Sequence, residues 1–400
     1  MSHNVVFLLG AGASLGAGLP STEEITKVVL SGENVVRRFK KKTYGFATGG
    51  EDSPQQMQRW HAIHVQPIVD YLRSLRCLTS SYYKNRRVGS LNYEDLYYLG
   101  QQVRGALFRY VDNPLLYEVA ESVHKDICDR ERARRGKSGS HICVSAREVM
   151  EGATEYIQGI TRELLAKPPG STDYLRLIAE SWRDDRVSHM AIATLNHDRV
   201  IDAFLKRSGI PYTDGFQEPS EPDGFRSFRT QVFDQENAAR VLKLHGAVDW
   251  IQRWSPDDLW DWDMMIAVDP SAPDVMEVNG YRVEPVPLLI GTQNKVEDYT
   301  LNRILSDLQH EFLHCLDVSD LMVIAGYGFG DRGINARIVH WMYGHRGRRL
   351  VVIDPALEKT KDSPGVREFW ETWLEPAEPL TLPRGVEDIR WEHVLRGMGD

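Results

Sequence analysis

The sequence predicts an α/β protein built on a doubly wound parallel sheet, with a helical domain inserted into it. Three observations carry that expectation. Short apolar runs without alternation, such as Val5-Val6-Phe7-Leu8-Leu9, suit strands buried on both faces. From about residue 188 onward such runs alternate with segments of helical periodicity. Several runs end in glycine, histidine or aspartate, at the strand ends where an open α/β sheet binds its ligands.

Taken in order, the first strand passes into Gly10-Ala11-Gly12-Ala13-Ser14, then Gly18-Leu19-Pro20, and Ser21-Thr22-Glu23-Glu24 has the spacing of a helix capping box. Between about 35 and 185 the segments 54–75, 92–111, 114–127 and 146–165 carry apolar residues at helical spacing, with a break expected at 130–140. Ala191-Ile192-Ala193-Thr194 then reads as a strand, followed by Asn196-His197-Asp198 and a helix over 200–206. Further strands are expected at Val241-Leu242-Lys243-Leu244, ending in His245-Gly246, and at 287–290. Two more are expected at Leu321-Met322-Val323-Ile324-Ala325, ending in Gly326-Tyr327-Gly328-Phe329-Gly330-Asp331, and at Leu350-Val351-Val352-Ile353, ending in Asp354. The expected division is a discontinuous sheet domain at 1–34 and 186–358, a helical insert at 35–185, and an appendage at 359–400 that holds Trp370, Trp373 and Trp391.

Composition excludes several classes. Forty-eight basic against fifty-seven acidic residues gives a net charge of −9, which argues against coating nucleic acid through bulk charge. The 42% apolar and 26% charged content is that of a globular protein. Cys77, Cys128, Cys143 and Cys315 include no CxxC pair, so neither a zinc ribbon nor a disulfide framework is expected. No stretch approaches the roughly 20 apolar residues that span a bilayer. No Lys or Arg precedes the apolar segment 5–19, unlike a secretory signal. The expectation is a cytoplasmic protein without membrane contact.

The chemistry is expected at the strand ends. A glycine turn between strand and helix lets backbone N–H groups approach a pyrophosphate, or serves plain helix–sheet packing. Leu15 stands where the dehydrogenase fingerprint needs its third glycine, so the turn is of another type. The turn at 326–330 offers the same choice between ligand and packing. Asn196 and Asp198 belong at the ligand rim or cap a helix. His245 has a side chain suited to accept a proton near neutral pH, or a structural one.

Other signals point elsewhere. His310-Glu311-Phe312-Leu313-His314 matches HExxH, but Leu301, Ile304, Leu305, Leu308, Phe312 and Leu316 form the apolar stripe of that helix, placing both histidines on the opposite face. No metal site is expected. The basic runs at 37–42 and 130–137 suit contact with nucleic acid or an acidic partner, and the acidic 257–263 with Trp260 and Trp262 a cation, but both read first as solvated surface loops.

The ordered set Gly10-Ala11-Gly12-Ala13-Ser14, Gly18-Leu19-Pro20, Thr194-Leu195-Asn196-His197-Asp198, Leu244-His245-Gly246, Gly326-Tyr327-Gly328-Phe329-Gly330-Asp331 and Val351-Val352-Ile353-Asp354 resembles the sirtuin family. It covers roughly 1–30 and 188–356; the helical insert has no counterpart. The resemblance implies a Rossmann-type sheet that binds NAD⁺. Sirtuin deacylases hold a structural zinc through paired cysteines and carry Asp-Phe-Arg after Gly-Ile-Pro. This chain lacks the pairs and has Ser21-Thr22-Glu23 after Pro20, which points away from deacylation. The pattern looks instead like the sirtuin-like proteins of bacterial antiphage defence, which hydrolyse NAD⁺ to nicotinamide and ADP-ribose. That likeness implies catalytic roles for Asn196, His245 and Asp198, and nucleotide contacts by Gly10, Ala11, Gly12, Ser14, Gly326, Gly328 and Asp354. It implies NAD⁺ as substrate without structural zinc, a homo-oligomer, and a HerA-like hexameric ATPase as partner, alternatively a short Argonaute. The competing readings are a non-catalytic nucleotide-binding sensor and a nucleic-acid-processing subunit of a defence complex.

Overall fold

The computed structural model describes residues 2–38, 43–47, 54–86, 91–108, 113–138, 144–217, 225–254, 262–267, 277–278, 281–291 and 303–397. The chain packs as two compact units. One comprises Met1–Ser21, Leu165–Leu289 and Asn294–Asp400; the other comprises Thr22–Leu164 with Ile290–Gln293. The boundaries thus fall at 21/22 and 164/165, and the C-terminal forty residues belong to the first unit.

The first unit is built on a seven-stranded sheet of β1 (His3–Leu9), β2 (Val187–Thr194), β3 (Tyr212–Thr213), β4 (Ala239–Lys243), β5 (Leu321–Ala325), β6 (Arg349–Ile353) and β7 (Leu380–Leu382). Its order is β7-β6-β5-β1-β2-β4-β3, and every pairing is parallel. The continuous apolar runs have the physical reason the sequence suggests. Val6, Leu8, Ala191, Ala193, Leu242, Met322, Ile324 and Val352 enter one core with helices Arg303–Val318 and Arg332–Gly344. The alternating set Val5, Phe7, Leu9, Ile192, Val241, Val323 and Val351 enters a second core with helices Arg176–Trp182, Val200–Ser208 and Trp391–Gly397. Side chains alternate across a strand, so a strand covered on both sides must be apolar at every position.

Two expectations about this unit need correction, and one sheet was not expected. The run 287–290 is not a strand: Pro287 has no N–H to donate, and Leu289 N–H goes to the His245 carbonyl (3.0 Å) instead of a ladder. The C-terminal segment is more than an appendage, because β7 pairs with β6 and extends the sheet. A five-stranded antiparallel sheet, in the order Glu277–Val278, Tyr281–Pro285, Trp250–Trp254, Trp262–Ala267, Phe225–Ser227, escaped the sequence reading. Its strands are short and most mix aromatic or polar with charged residues, as in Trp250-Ile251-Gln252-Arg253-Trp254, so the run Met264-Met265-Ile266-Ala267 stands without apolar neighbours to mark a sheet.

The second unit is mainly helical. Asn92 closes a capping box with Asp95 at the start of helix Tyr93–Leu107, and Ala146–Leu165 forms one helix. Segment 54–78 is helical with a π turn at His61–Val65. A hairpin of Val35–Arg38 and Thr43–Phe46 joins the helices, so the unit is not wholly helical. Over 130–138 the expected break does not occur, since helix Pro114–Ser138 covers those residues; 139 and 140 lie outside the described residues. Arg130 pairs with Asp126, Arg132 with Asp129 and Arg134 with Glu131, at i,i+3 and i,i+4 spacings that support a helix among its charges. Among the described residues no helix is long and apolar enough to cross a membrane.

The C-terminal helix is tied to the sheet unit through Trp391, whose N–H goes to Glu180 and whose indole goes to Asp184 Oδ2, both at 2.9 Å. The hydrogen bonds from Arg186, joined by that indole, hold the Asp184 carboxyl down at about 2, against the effect of burial. A lowered carboxyl pKa contributes stability above the ordinary carboxylate range and loses it as pH falls toward 2. Asp184→Asn is therefore expected to lower the urea midpoint at pH 7, with the difference from the wild type closing below pH 4.

Candidate functional site

Every strand of the main sheet points its carboxyl end the same way, so the residues that follow the strands gather along one edge. From β1 the chain winds outward through β2 and β4, then returns to place β5 on the other side of β1. The winding reverses between β1 and β5, the position where such sheets open a ligand crevice.

The two glycine turns meet at that reversal. Gly10 N–H donates to the Ala325 carbonyl (3.0 Å) and Gly12 N–H to the Gly326 carbonyl (2.9 Å). Gly326 has φ +63°, and a Cβ there would come within 2.2 Å of Ala13 N. A Cβ on Gly10 would meet the Gly326 carbonyl oxygen at 2.6 Å, and one on Gly12 the Gly326 Cα at 2.9 Å. These three glycines are therefore required by the fold. Gly328 differs: a Cβ there would meet nothing within 4 Å. Ala11, Gly12 and Gly328 are exposed, and together form a rim of small residues that a ligand's backbone-like groups can approach closely. The second turn is held rigid. Phe329 sits at φ 53°, Tyr327 Oη accepts Asp331 N–H (3.1 Å), and Asn335 Nδ2 donates to the Phe329 carbonyl (2.8 Å).

Asn196 follows β2, next to the first turn. Its amide nitrogen donates to the Gly10 carbonyl (2.9 Å) and to Ser14 Oγ (2.8 Å). A carbonyl only accepts, so the NH₂ group must face Gly10, and the amide oxygen is left as the acceptor. Ser14 donates in turn to the Asp198 carboxylate, which also accepts Val200 N–H (2.9 Å). Burial pushes the Asp198 pKa up, against those hydrogen bonds and the nearby Lys243 charge. The chain Asp198–Ser14–Asn196–Gly10 thus joins four of the expected residues in one network. Asp198 keeps the capping role open to it as well.

His245 follows β4, the neighbour of β2. Leu244 N–H donates to the Thr194 carbonyl (3.0 Å) and Val248 N–H to the His197 carbonyl (2.9 Å), so the loops carrying Asn196 and His245 are laced together. Gly246 has φ +81°, the turn that directs the chain away behind His245. The His245 Nε2 lies 3.2 Å from Asp331 Oδ2, with both side chains buried. Asp331 also caps helix Arg332–Gly344 through Ile334 N–H (3.1 Å). His197 stands beside His245, with ring centroids 6.3 Å apart.

A buried charge cluster lies behind these loops. Lys243 Nζ donates to Asp202 Oδ2 (2.6 Å) and to the Asp198 carbonyl (3.3 Å). Burial opposes its charge, but Asp202 and Asp249 outweigh burial and raise its pKa above the ordinary value. Burial pushes the Asp249 carboxyl up, against the charge of Lys243.

The remaining expectations fall as follows. Asp354 ends β6 at the same edge, but both its oxygens are engaged, by Ala356 N–H and Thr360 Oγ1, each at 2.8 Å. His310 and His314 are exposed, and Glu311 pairs with Arg240 (2.7 Å), so the HExxH residues do not converge. Cys143, Leu301 and the segments 39–42 and 255–261 lie outside the described residues. Among the described residues no group of three or more His, Cys, Asp or Glu could hold a metal. Sequence reasoning did not assign roles to Asp331 and Lys243. Both were visible, Asp331 as a helix cap after a glycine turn and Lys243 as a charge in an apolar strand, the stronger signal of the two.

The chain matches no family profile and no curated protein. Among solved structures it matches that of a sirtuin, from work on the structural basis of sirtuin substrate affinity. The identity is 13% and the TM-score 0.37, over 99% of this chain and 93% of the other. A superposition that loose carries neither fold nor chemistry, which rest here on the sheet and its edge.

The two turns separate packing from ligand approach. Gly326→Ala is expected to lose well over the ~1–2 kcal/mol of a left-handed alanine, because backbone opposes the new methyl. Gly328→Ala should stay within about 0.5 kcal/mol of the wild type in chemical denaturation.

Proposed function

We propose that this chain is an NAD⁺ glycohydrolase that releases nicotinamide and ADP-ribose. The observation that carries the reading is the placement of Asn196 and His245 on adjacent strand ends beside the two glycine turns of the sheet's switch point. The open rim at Gly328 and the exposed Ala11 and Gly12 suit a dinucleotide's pyrophosphate, and the buried polar groups beside them suit its ribose.

In the reaction water adds to C1′ of the nicotinamide ribose. The glycosidic C–N bond breaks, and its electron pair leaves with neutral nicotinamide. The water gives up one proton. Because the leaving group is already cationic in NAD⁺, no strong acid is needed; what matters is stabilising an oxocarbenium-like ribose and placing the water. The Asn196 amide oxygen, fixed by the two bonds to its nitrogen, accepts from the water or a ribose hydroxyl. The His245 imidazole, with Nε2 3.2 Å from Asp331 Oδ2, is the group that takes the proton. Asp198 keeps Ser14 turned toward Asn196.

The resemblance in motifs extends the reading to an effector of antiphage defence, acting by depletion of NAD⁺. On the same ground it acts as a homo-oligomer in the cytoplasm, with a HerA-like ATPase or a short Argonaute as partner. Purified protein, alone and with such a partner, is expected to release nicotinamide from NAD⁺. His245→Ala should lower kcat by about 10²–10⁴-fold, and Asn196→Ala by roughly 10²-fold or more. Turnover that survives both substitutions contradicts the site. Saturable NAD⁺ binding with no nicotinamide under any arm supports a nucleotide sensor instead.

A further inference from the structure

Lys243 is the last residue of β4 and is 3% exposed, although its neighbours Val241, Leu242 and Leu244 are apolar and buried. The charged groups facing it are Asp202 on helix Val200–Ser208, Asp198 and Asp249, with Arg199 next to Asp249 and Tyr212 near Asp202 and Asp249. Full burial of an ammonium is costly, and a buried ion pair is often replaced by apolar residues with no loss of stability. Packing alone therefore gives no reason for a lysine here.

Its contacts give one. The Nζ reaches the Asp198 carbonyl (3.3 Å) and Asp202 Oδ2 (2.6 Å), and so grips the turn after β2 from the end of β4. Asn196 lies two residues before that carbonyl, and His245 two residues after Lys243. One ammonium thus joins the backbone that carries Asn196 to the strand that carries His245. The same charge faces Asp198, which orients Ser14 and through it the Asn196 amide.

We propose that Lys243 is a positioning residue that sets the Asn196 amide relative to His245 by clamping the β2 turn to the end of β4. Only the kinetic readout rests on the proposed NAD⁺ hydrolysis; the geometry does not.

The test uses the full chain with ¹⁵N-labelled asparagine. The variants are Lys243→Met/Asp202→Leu, which strands no partner charge on Asp202, Lys243→Arg, which keeps the charge, and Asp202→Asn, which keeps the shape. In the wild type the Asn196 side-chain NH₂, held by two acceptors, should exchange slowly with solvent. In the double variant its resonances are expected to shift and its exchange to quicken while the chain still unfolds in one cooperative transition. There kcat should fall about 100-fold with KM within about two-fold. Lys243→Arg should recover most of both, and Asp202→Asn should fall between. A folded double variant with unmoved Asn196 signals and kcat within two-fold of the wild type overturns the proposal. Should the double variant not fold, unmoved Asn196 signals in Asp202→Asn overturn it equally. A wild type with no turnover would count against the hydrolase reading alone, and the Asn196 signals would still decide this one.

Discussion

The Gly12 N–H and the Gly326 carbonyl stand 2.9 Å apart where two parallel strands end, and neither turn leaves room for a side chain between them. That backbone contact joins the two halves of the winding at the point where its direction reverses. The constraint is steric before it is chemical. Once the turns touch, Gly10 presents its carbonyl to Asn196, and Ser14 comes within reach of both Asn196 and Asp198. The same contact fixes where the second turn begins. That turn runs through Tyr327 and Phe329 to Asp331, the residue beside His245. The site is thus assembled from four strand ends by a glycine contact that contains no functional side chain.

This arrangement changes what the glycines mean. A glycine at a strand end can serve a ligand or the fold, and here the two uses separate along one turn. Gly10, Gly12 and Gly326 are needed because backbone meets backbone. Gly328 faces open space, and is the member of the set whose missing side chain a ligand alone could require. Asp354 shows the same separation. It ends a strand at the right edge, yet its oxygens hold the start of the next helix.

The parallel sheet was legible in the sequence because a strand buried on both faces needs apolar residues at successive positions, and Val5–Leu9, Met190–Ala193, Val241-Leu242, Leu321–Ala325 and Leu350–Ile353 supply them. The residues after those strands could be placed at one edge for the same reason. The antiparallel sheet was not legible, because its strands are short and its aromatic and charged residues mask the alternation. The end of helix Pro114–Ser138 is not legible, because a run of arginines resembles a loop until its partners one turn away are counted. The pairing of His245 with Asp331 joins residues 86 apart in sequence across two strand ends, and no local pattern reports such a distance.

In the proposed function a dinucleotide lies across the reversal between β1 and β5 with its nicotinamide ribose toward β2 and β4. A crystal structure with NAD⁺ or ADP-ribose bound tests it most directly. The pyrophosphate is expected over Ala11, Gly12 and Gly328, and the ribose within hydrogen-bond reach of the Asn196 amide oxygen and the His245 imidazole. Density for the nucleotide at another edge of the sheet, or an empty switch point in crystals saturated with either ligand, would contradict it.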